Sequence, residues 1–155
     1  MTGFNHGMTG AVIALFVKQP ALAVPLALAS HFVTDIIPHW DYGVSRGKGK
    51  PEHFDKQFNL VLTSDFLFSV LLMVVLALLF PSQKWLIWAC MIASACPDLM
   101  WAYYQLYKSK IKGQKPKFDP LARFHLFIQW SQTKAGGLVE LAWFISAWAV
   151  VLVKR

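Results

Sequence analysis

The chain has 155 residues, of which 56% are hydrophobic, with a mean hydropathy of +0.45. That length allows one domain, and that composition argues against an ordinary soluble domain and for a polytopic membrane protein. Fifteen basic residues stand against eight acids, but they gather in loops beside apolar runs and no nucleic-acid recognition motif accompanies them, so no nucleic-acid partner is expected.

Phe4 to Val17 is apolar, opens on Asn5-His6-Gly7, and would measure about 21 Å as a helix. It therefore crosses a bilayer only marginally or inserts part way. Lys18-Gln19-Pro20 ends it, and no basic residue precedes it to mark a secretory signal. Ala21 to Ile37 forms the second helix, with Pro25 in its first turns, where a missing N–H does least harm. Pro38 disfavours the helical conformation at Ile37, which stops the helix. A polar connection follows, flexible and basic over about 43–56. Leu60 to Phe80 is a 21-residue apolar run whose single charge is Asp65. It reaches about 30 Å, the thickness of a bilayer core.

Pro81-Ser82-Gln83-Lys84 is a tight turn that sends Trp85 to Tyr104 back antiparallel. Pro97-Asp98 interrupts this fourth helix. Trp85 and Trp88 mark one membrane boundary, and Trp101, Tyr103, Tyr104 and Tyr107 the other. Cys90 and Cys96 have neither redox nor zinc-pair spacing and read as packing residues. After a basic loop over about 108–120, Leu121 to Gln132 forms a short interfacial helix with His125, Gln129 and Gln132 on one stripe. Gly136-Gly137 precedes a last apolar helix, Leu138 to Val153. The expected architecture is one all-α integral membrane domain over 1–155, a polytopic bundle of four to five membrane helices plus the interfacial one.

Topology orders the charges. If the first helix crosses, the N-terminus and the loops 38–59 and 105–120 share one side with most of the basic residues, among them Arg46, Lys48, Lys50, Lys110 and Lys117. The positive-inside rule makes that side cytoplasmic, which fits a bacterial cytoplasmic membrane protein.

Ionisable groups within apolar helices are costly and need a partner or a purpose. His31 and Asp35 share a helix face at i and i+4. His39 and Asp41 follow Pro38, where the chain leaves that helix. His6, Asp65 and Asp98 lie at the same expected depth, His125 on the neighbouring interfacial helix, and Glu140 at the start of the last one. Imidazole and carboxylate together suit zinc first, with manganese or iron also possible, and are too nitrogen-rich for calcium or magnesium. The expected metal ligands are His6, His31, Asp35, His39, Asp41, Asp98 and His125. Asp65 or Glu140 would act as general base.

The segment His31-Phe32-Val33-Thr34-Asp35 resembles the H-F-x-x-D motif of zinc phospholipase C and related single-strand-specific zinc nucleases. That resemblance implies zinc ligation by His31 and Asp35, joined by a later histidine such as His39. Asn5-His6-Gly7-Met8-Thr9-Gly10 and Pro97-Asp98 are similar to the T-H-x-x-x-G and P-D patterns of small bacterial membrane-bound metal-dependent hydrolases. This second resemblance implies a reaction class and no particular substrate.

The leading expectation is a membrane-embedded hydrolase that uses one or two divalent ions near the cytoplasmic face to cleave an ester or phosphoester, with a lipid phosphate as partner. Arg46, Lys48 and Lys50 would attract an anionic headgroup. One alternative is a non-enzymatic scaffold pinned by a structural metal or polar network, which would be closed to water. A transporter using Asp65, Asp98 and Glu140 ranks lower, since neither inverted repeats nor polar groups spread through the depth are evident.

Overall fold

The computed structural model describes residues 1–40, 56–104 and 119–155, and the described chain is all-helical. Its helices are α1 (Gly3–Phe16), α2 (Pro20–Ile36), α3 (Lys56–Leu79), α4 (Lys84–Ala95), α5 (Leu99–Tyr103), α6 (Pro120–Ile128) and α7 (Gly136–Lys154). A 3-10 turn at Cys96–Asp98 joins α4 to α5, so Lys84–Tyr103 runs as one 20-residue rod. Asp41 and the basic residues Arg46, Lys48 and Lys50 lie outside the described residues.

Three helical stretches are long and apolar enough to cross a membrane: Asn59–Leu79, Lys84–Tyr103 and Gly136–Lys154. The sequence led to an expectation of four to five. α1 has 14 residues and α2 has 17, or about 21 and 26 Å, short of a bilayer core of about 30 Å. α3 is apolar on every side, and Leu60, Phe66, Leu67, Leu71 and Leu78 all stand exposed. A helix apolar all round with that much open surface is built for lipid, not water. The molecule is a membrane protein by this criterion.

The short helix α1 is the most enclosed. α1 packs against α4, α2, α7 and α3, and Met8, Ala11 and Ala14 on it are fully buried. Small residues make this possible, because lipid supplies no hydrophobic drive between helices and close backbone approach must replace it. A Cβ on Gly10 would overlap the carbonyl of Cys90 on α4. At this crossing Ser94 Oγ also donates to the His6 carbonyl at 2.6 Å. Trp88 Nε1 donates to the Met73 carbonyl at 2.8 Å, tying α4 to α3 across the tight turn.

The ends of α2 and α7 are clamped in the same way. Ser131 Oγ donates to the carbonyls of Ile36 and Ile37, and Thr133 N–H donates to the His39 carbonyl at 2.9 Å. These bonds satisfy carbonyls that the end of α2 would otherwise leave orphaned. Gly136 sits so close that a Cβ there would overlap the backbone of His39. The chain beyond Pro38 is thus held against the start of α7 by main-chain contacts.

α6 begins at Asp119, whose Oδ1 accepts from the Ala122 N–H at 2.9 Å as an N-cap. Tyr104 Oη donates to Asp119 Oδ2 and accepts from Asp119 N–H, linking the end of α5 to the start of α6. Leu121, Phe124, Phe127 and Trp130 are exposed, while Ala122, His125, Ile128 and Gln129 are buried. That amphipathicity turns His125 inward.

Candidate metal centre

Four elements deliver imidazoles and carboxylates to one point. His6 comes from the first turn of α1, His31 and Asp35 from the last turns of α2, Asp98 from the 3-10 turn, and His125 from α6. All three histidines and Asp35 are fully buried, whereas Asp98 is 24% exposed. His31, Asp35, Asp98 and His125 each offer a ligand atom, all within 4.8 Å of one another, and this group could hold a metal ion.

Pro97 explains the placement of Asp98 and of an acceptor beside it. Lacking an N–H, it cannot continue the α-helical ladder, and the chain tightens into 3-10 geometry. Such a change releases carbonyls of the preceding turn. The Ser94 carbonyl takes up this freedom, lying 2.8 Å from His31 Nδ1.

The proton positions follow from these partners. A carbonyl only accepts, so His31 Nδ1 carries the hydrogen and Nε2 keeps its lone pair. Thr34 Oγ1 donates to the main-chain carbonyls of Ser30 and His31, at 2.9 and 3.0 Å. With that hydrogen engaged, it is assigned as the acceptor of His6 Nδ1–H, 3.0 Å away, and under this assignment Nε2 again keeps its lone pair. Second partners that fix the tautomer in this way are the usual support of metal-binding histidines.

The bare nitrogens face carboxylates. His6 Nε2 is 3.1 Å from Asp35 Oδ1 and 3.8 Å from Asp98 Oδ2, yet it has no hydrogen-bond partner. His31 Nε2 is 3.3 Å from Asp35 Oδ2 and 3.9 Å from Asp98 Oδ1. Lone pairs aimed at anionic oxygens in a buried space repel one another unless a cation lies between them. His125 differs: its Nε2 lies 2.7 Å from Asp35 Oδ2 and 2.9 Å from His31 Nε2, while its Nδ1 has no partner. One proton on Nε2 satisfies Asp35 here, and its transfer to Nδ1 would expose a third lone pair to the centre.

Other groups frame the cluster. Gln129 Nε2 donates to Asp35 Oδ2 at 3.3 Å. The Met1 amine donates to Asp35 Oδ1 at 2.5 Å. Phe32 packs edge-on against the rings of His31 and His125, and Trp101 lies nearly parallel to His125 at 5.8 Å. These aromatic walls limit water on that side.

The other residues picked from the sequence lie elsewhere. His39 is fully buried, donates from Nδ1 to the Ile37 carbonyl at 2.7 Å, and has an unpartnered Nε2. It stands outside the convergent group, and burial holds its pKa below the ordinary value, so it stays neutral. Asp65 accepts from the main-chain N–H groups of Gly3 and Phe4 at 2.7 and 2.9 Å. Thr2, at the N-cap of α1, makes no side-chain capping bond, so a carboxylate from α3 caps this helix. Glu140 Oε2 accepts from Thr2 N–H, Thr2 Oγ1 and Asn5 Nδ2, and Oε1 accepts from Trp40 N–H. The two acids expected to serve as general base are thus both engaged by donors that position α1.

The sequence reading passed over Thr34 and Ser94. Each has a local signal: Thr34 lies between His31 and Asp35, and Ser94 one turn before Asp98. No protein-family model, curated protein or solved structure matches the chain.

Proposed function

We propose that this protein is a membrane-embedded, metal-dependent hydrolase acting on an ester or phosphoester at the membrane face. The observation that carries this reading is the pair of buried Nε2 lone pairs, on His6 and His31, fixed by their Nδ1 partners and aimed at Asp35 and Asp98. Such an array has the chemistry of a divalent-ion site, and its nitrogen-rich donor set favours zinc, with manganese or iron as alternatives. A structural zinc site is closed by four protein ligands, whereas a catalytic one keeps an open position. The partial exposure of Asp98 supplies an opening.

A bound divalent ion would lower the pKa of a water ligand and polarise the ester oxygen. The chain's own groups divide the remaining tasks. His31 and Asp35 anchor the ion, Ser94 and Thr34 orient the imidazoles, and Phe32 and Trp101 exclude water behind them. His125 joins these anchors once its proton sits on Nδ1, which has no other hydrogen-bond partner, and leaves Nε2 open to ligate.

α1 and α2 complete the membrane bundle in this reading, giving five membrane helices with α6 at the interface. The cluster then lies near one face, which the loop charges make the cytoplasmic face of a bacterial membrane. A lipid phosphoester is the substrate class that combines this depth with adjacent basic loops. The short resemblance of His31–Asp35 to the zinc phospholipase motif points the same way.

Metal analysis of the detergent-purified protein tests the site, with His31→Ala and Asp35→Ala beside wild type. Stoichiometric metal in wild type and its loss from both variants is the expected result; sub-stoichiometric metal in all three defeats the reading. Turnover of a generic phosphodiester and of a lipid phosphate then separates an enzyme from a scaffold.

A further inference from the structure

The carboxylates of Asp35 and Asp98 each present two oxygens, and the two oxygens of each face different histidines. Asp35 Oδ1 and Asp98 Oδ2 lie 3.1 and 3.8 Å from His6 Nε2. Asp35 Oδ2 and Asp98 Oδ1 lie 3.3 and 3.9 Å from His31 Nε2, and 2.7 and 3.7 Å from His125 Nε2. Donor atoms that share an ion at about 2.1 Å are about 3.0 Å apart at a right angle and about 3.4 Å apart at the tetrahedral angle. The Asp35 distances fall around these values in both sets, and the Asp98 distances, at 3.7 to 3.9 Å, lie beyond the tetrahedral one, so Asp98 closes in by a few tenths of an ångström to bridge. The donors therefore divide into two shells that have only the carboxylate bridges in common.

A single ion does not account for His6. His31, Asp35, Asp98 and His125 already make a group of four ligand residues, which is a full tetrahedral complement. His6 would be superfluous, yet it is fully buried, its Nδ1–H is engaged by Thr34, and its Nε2 is left unpartnered and aimed at the carboxylates. The rings of His6 and His31 stack nearly parallel, with centroids 4.0 Å apart and planes 28° apart. Two imidazoles side by side at that spacing would each serve an ion, and ions in two-metal sites stand about 3.5–4 Å apart.

We infer that the centre is binuclear, with Asp35 and Asp98 both bridging. One ion takes His6 with Asp35 Oδ1 and Asp98 Oδ2, and the other takes His31 and His125 with Asp35 Oδ2 and Asp98 Oδ1. Asp35 Oδ1 retains a second lone pair for the Met1 amine. The inference rests on the metal-site reading above and narrows its substrate class. Two divalent ions bring four positive charges against two carboxylates, an excess suited to a phosphoryl group and not to a neutral carboxylic ester. The shell around His6 has fewer protein donors, so it is the side with room for substrate oxygen or water.

The test uses the full chain in detergent, stripped with chelator and reloaded with Mn(II) alone. Ions per chain are counted after removal of excess metal, and the electron paramagnetic resonance spectrum is recorded. Wild type should hold two ions per chain with an exchange-coupled spectrum. His6→Ala should hold one, with the six-line spectrum of an isolated ion. His6→Gln, which keeps a polar side chain of similar reach, should behave like His6→Ala and guards against a folding defect. One ion per chain in wild type, two ions without coupling, or an unchanged count in a well-folded His6 variant would each overturn the binuclear assignment. A wild type that binds no ion overturns the metal reading itself, so the two failures are distinguishable. If neither His6 variant folds, the wild-type count and spectrum decide.

Discussion

Two pairs of acids organise this molecule, each with one buried member (Asp35, Glu140) and one half-buried (Asp98, Asp65), and their surroundings differ in kind. Asp65 and Glu140 are met by hydrogens: main-chain N–H groups of Thr2, Gly3, Phe4 and Trp40, the Thr2 hydroxyl and the Asn5 amide. Asp35 also meets donors, the Met1 amine, His125 Nε2 and Gln129 Nε2, but it and Asp98 both face the Nε2 atoms of His6 and His31, which carry lone pairs. A carboxylate satisfied by donors needs nothing further and fixes structure. A carboxylate facing lone pairs needs a cation, and that need is what makes the second pair a candidate for chemistry. Both pairs touch the start of α1, so one short helix connects the scaffold to the centre.

The largest effect is expected from Asp35. Asp35→Asn keeps the shape but turns one shared oxygen into a nitrogen that cannot ligate. Loss of an orienting partner alone costs about 10–100-fold in metal affinity, and loss of a bridging ligand should cost more than 100-fold. Metal retained by the purified variant at wild-type level would place Asp35 with the structural acids. The next largest effect is expected from Gly136→Ala, because its Cβ has only the His39 backbone to displace. Overlap with main chain cannot be relieved by a rotamer change, and a loss of about 2–4 kcal/mol follows. Thermal unfolding in detergent would show it, and an unchanged midpoint would mean that the close contact of α7 with His39 is not needed.

The tautomer of His6 is open to a test of its own. Thr34→Val preserves volume while removing the acceptor of His6 Nδ1–H. Affinity for the ion at His6 should fall by about 10–100-fold, with the ion at His31 retained. A metal titration that resolves two affinities reads the difference directly; equal weakening of both would mean that Thr34 acts only through packing.

The two pairs were unequally legible in the sequence, for a physical reason. His31 and Asp35 announce themselves by i, i+4 spacing just before a helix-stopping proline, and Asp98 by the proline ahead of it. The stripe of His125, Gln129 and Gln132 has helical period, and all three are buried. Type and spacing are local properties, and ligand sets are written in them. The partners of Asp65 and Glu140 are mostly main-chain N–H groups 61 to 138 positions away. Every non-proline residue carries such a group, so no pattern of side chains betrays the contact, and the two acids looked catalytic because they were acidic and deep. The glycines at positions 10 and 136 were opaque for the same reason: their role is set by a neighbour far along the chain. Helix number suffered differently, since apolar character alone does not distinguish a helix enclosed by others from one long enough to span.

Glu140→Gln and Asp65→Asn probe the quieter half of the comparison. In Glu140→Gln one of two accepting oxygens becomes a donor and confronts either the Trp40 N–H or the Thr2 and Asn5 group. A buried donor left without an acceptor costs about 1–3 kcal/mol, with metal content unchanged. Asp65→Asn should cost least, about 1 kcal/mol, the usual worth of a helix cap. The remaining amide oxygen can still accept from Gly3 or Phe4, and no metal donor is touched. A small fall in melting temperature with unaltered metal stoichiometry and turnover is the expected result. If turnover collapsed while melting temperature and metal content held, Asp65 would be working on substrate. The line between donor-satisfied and cation-demanding carboxylates would then have to be redrawn to place a general base at the N-terminus of α1.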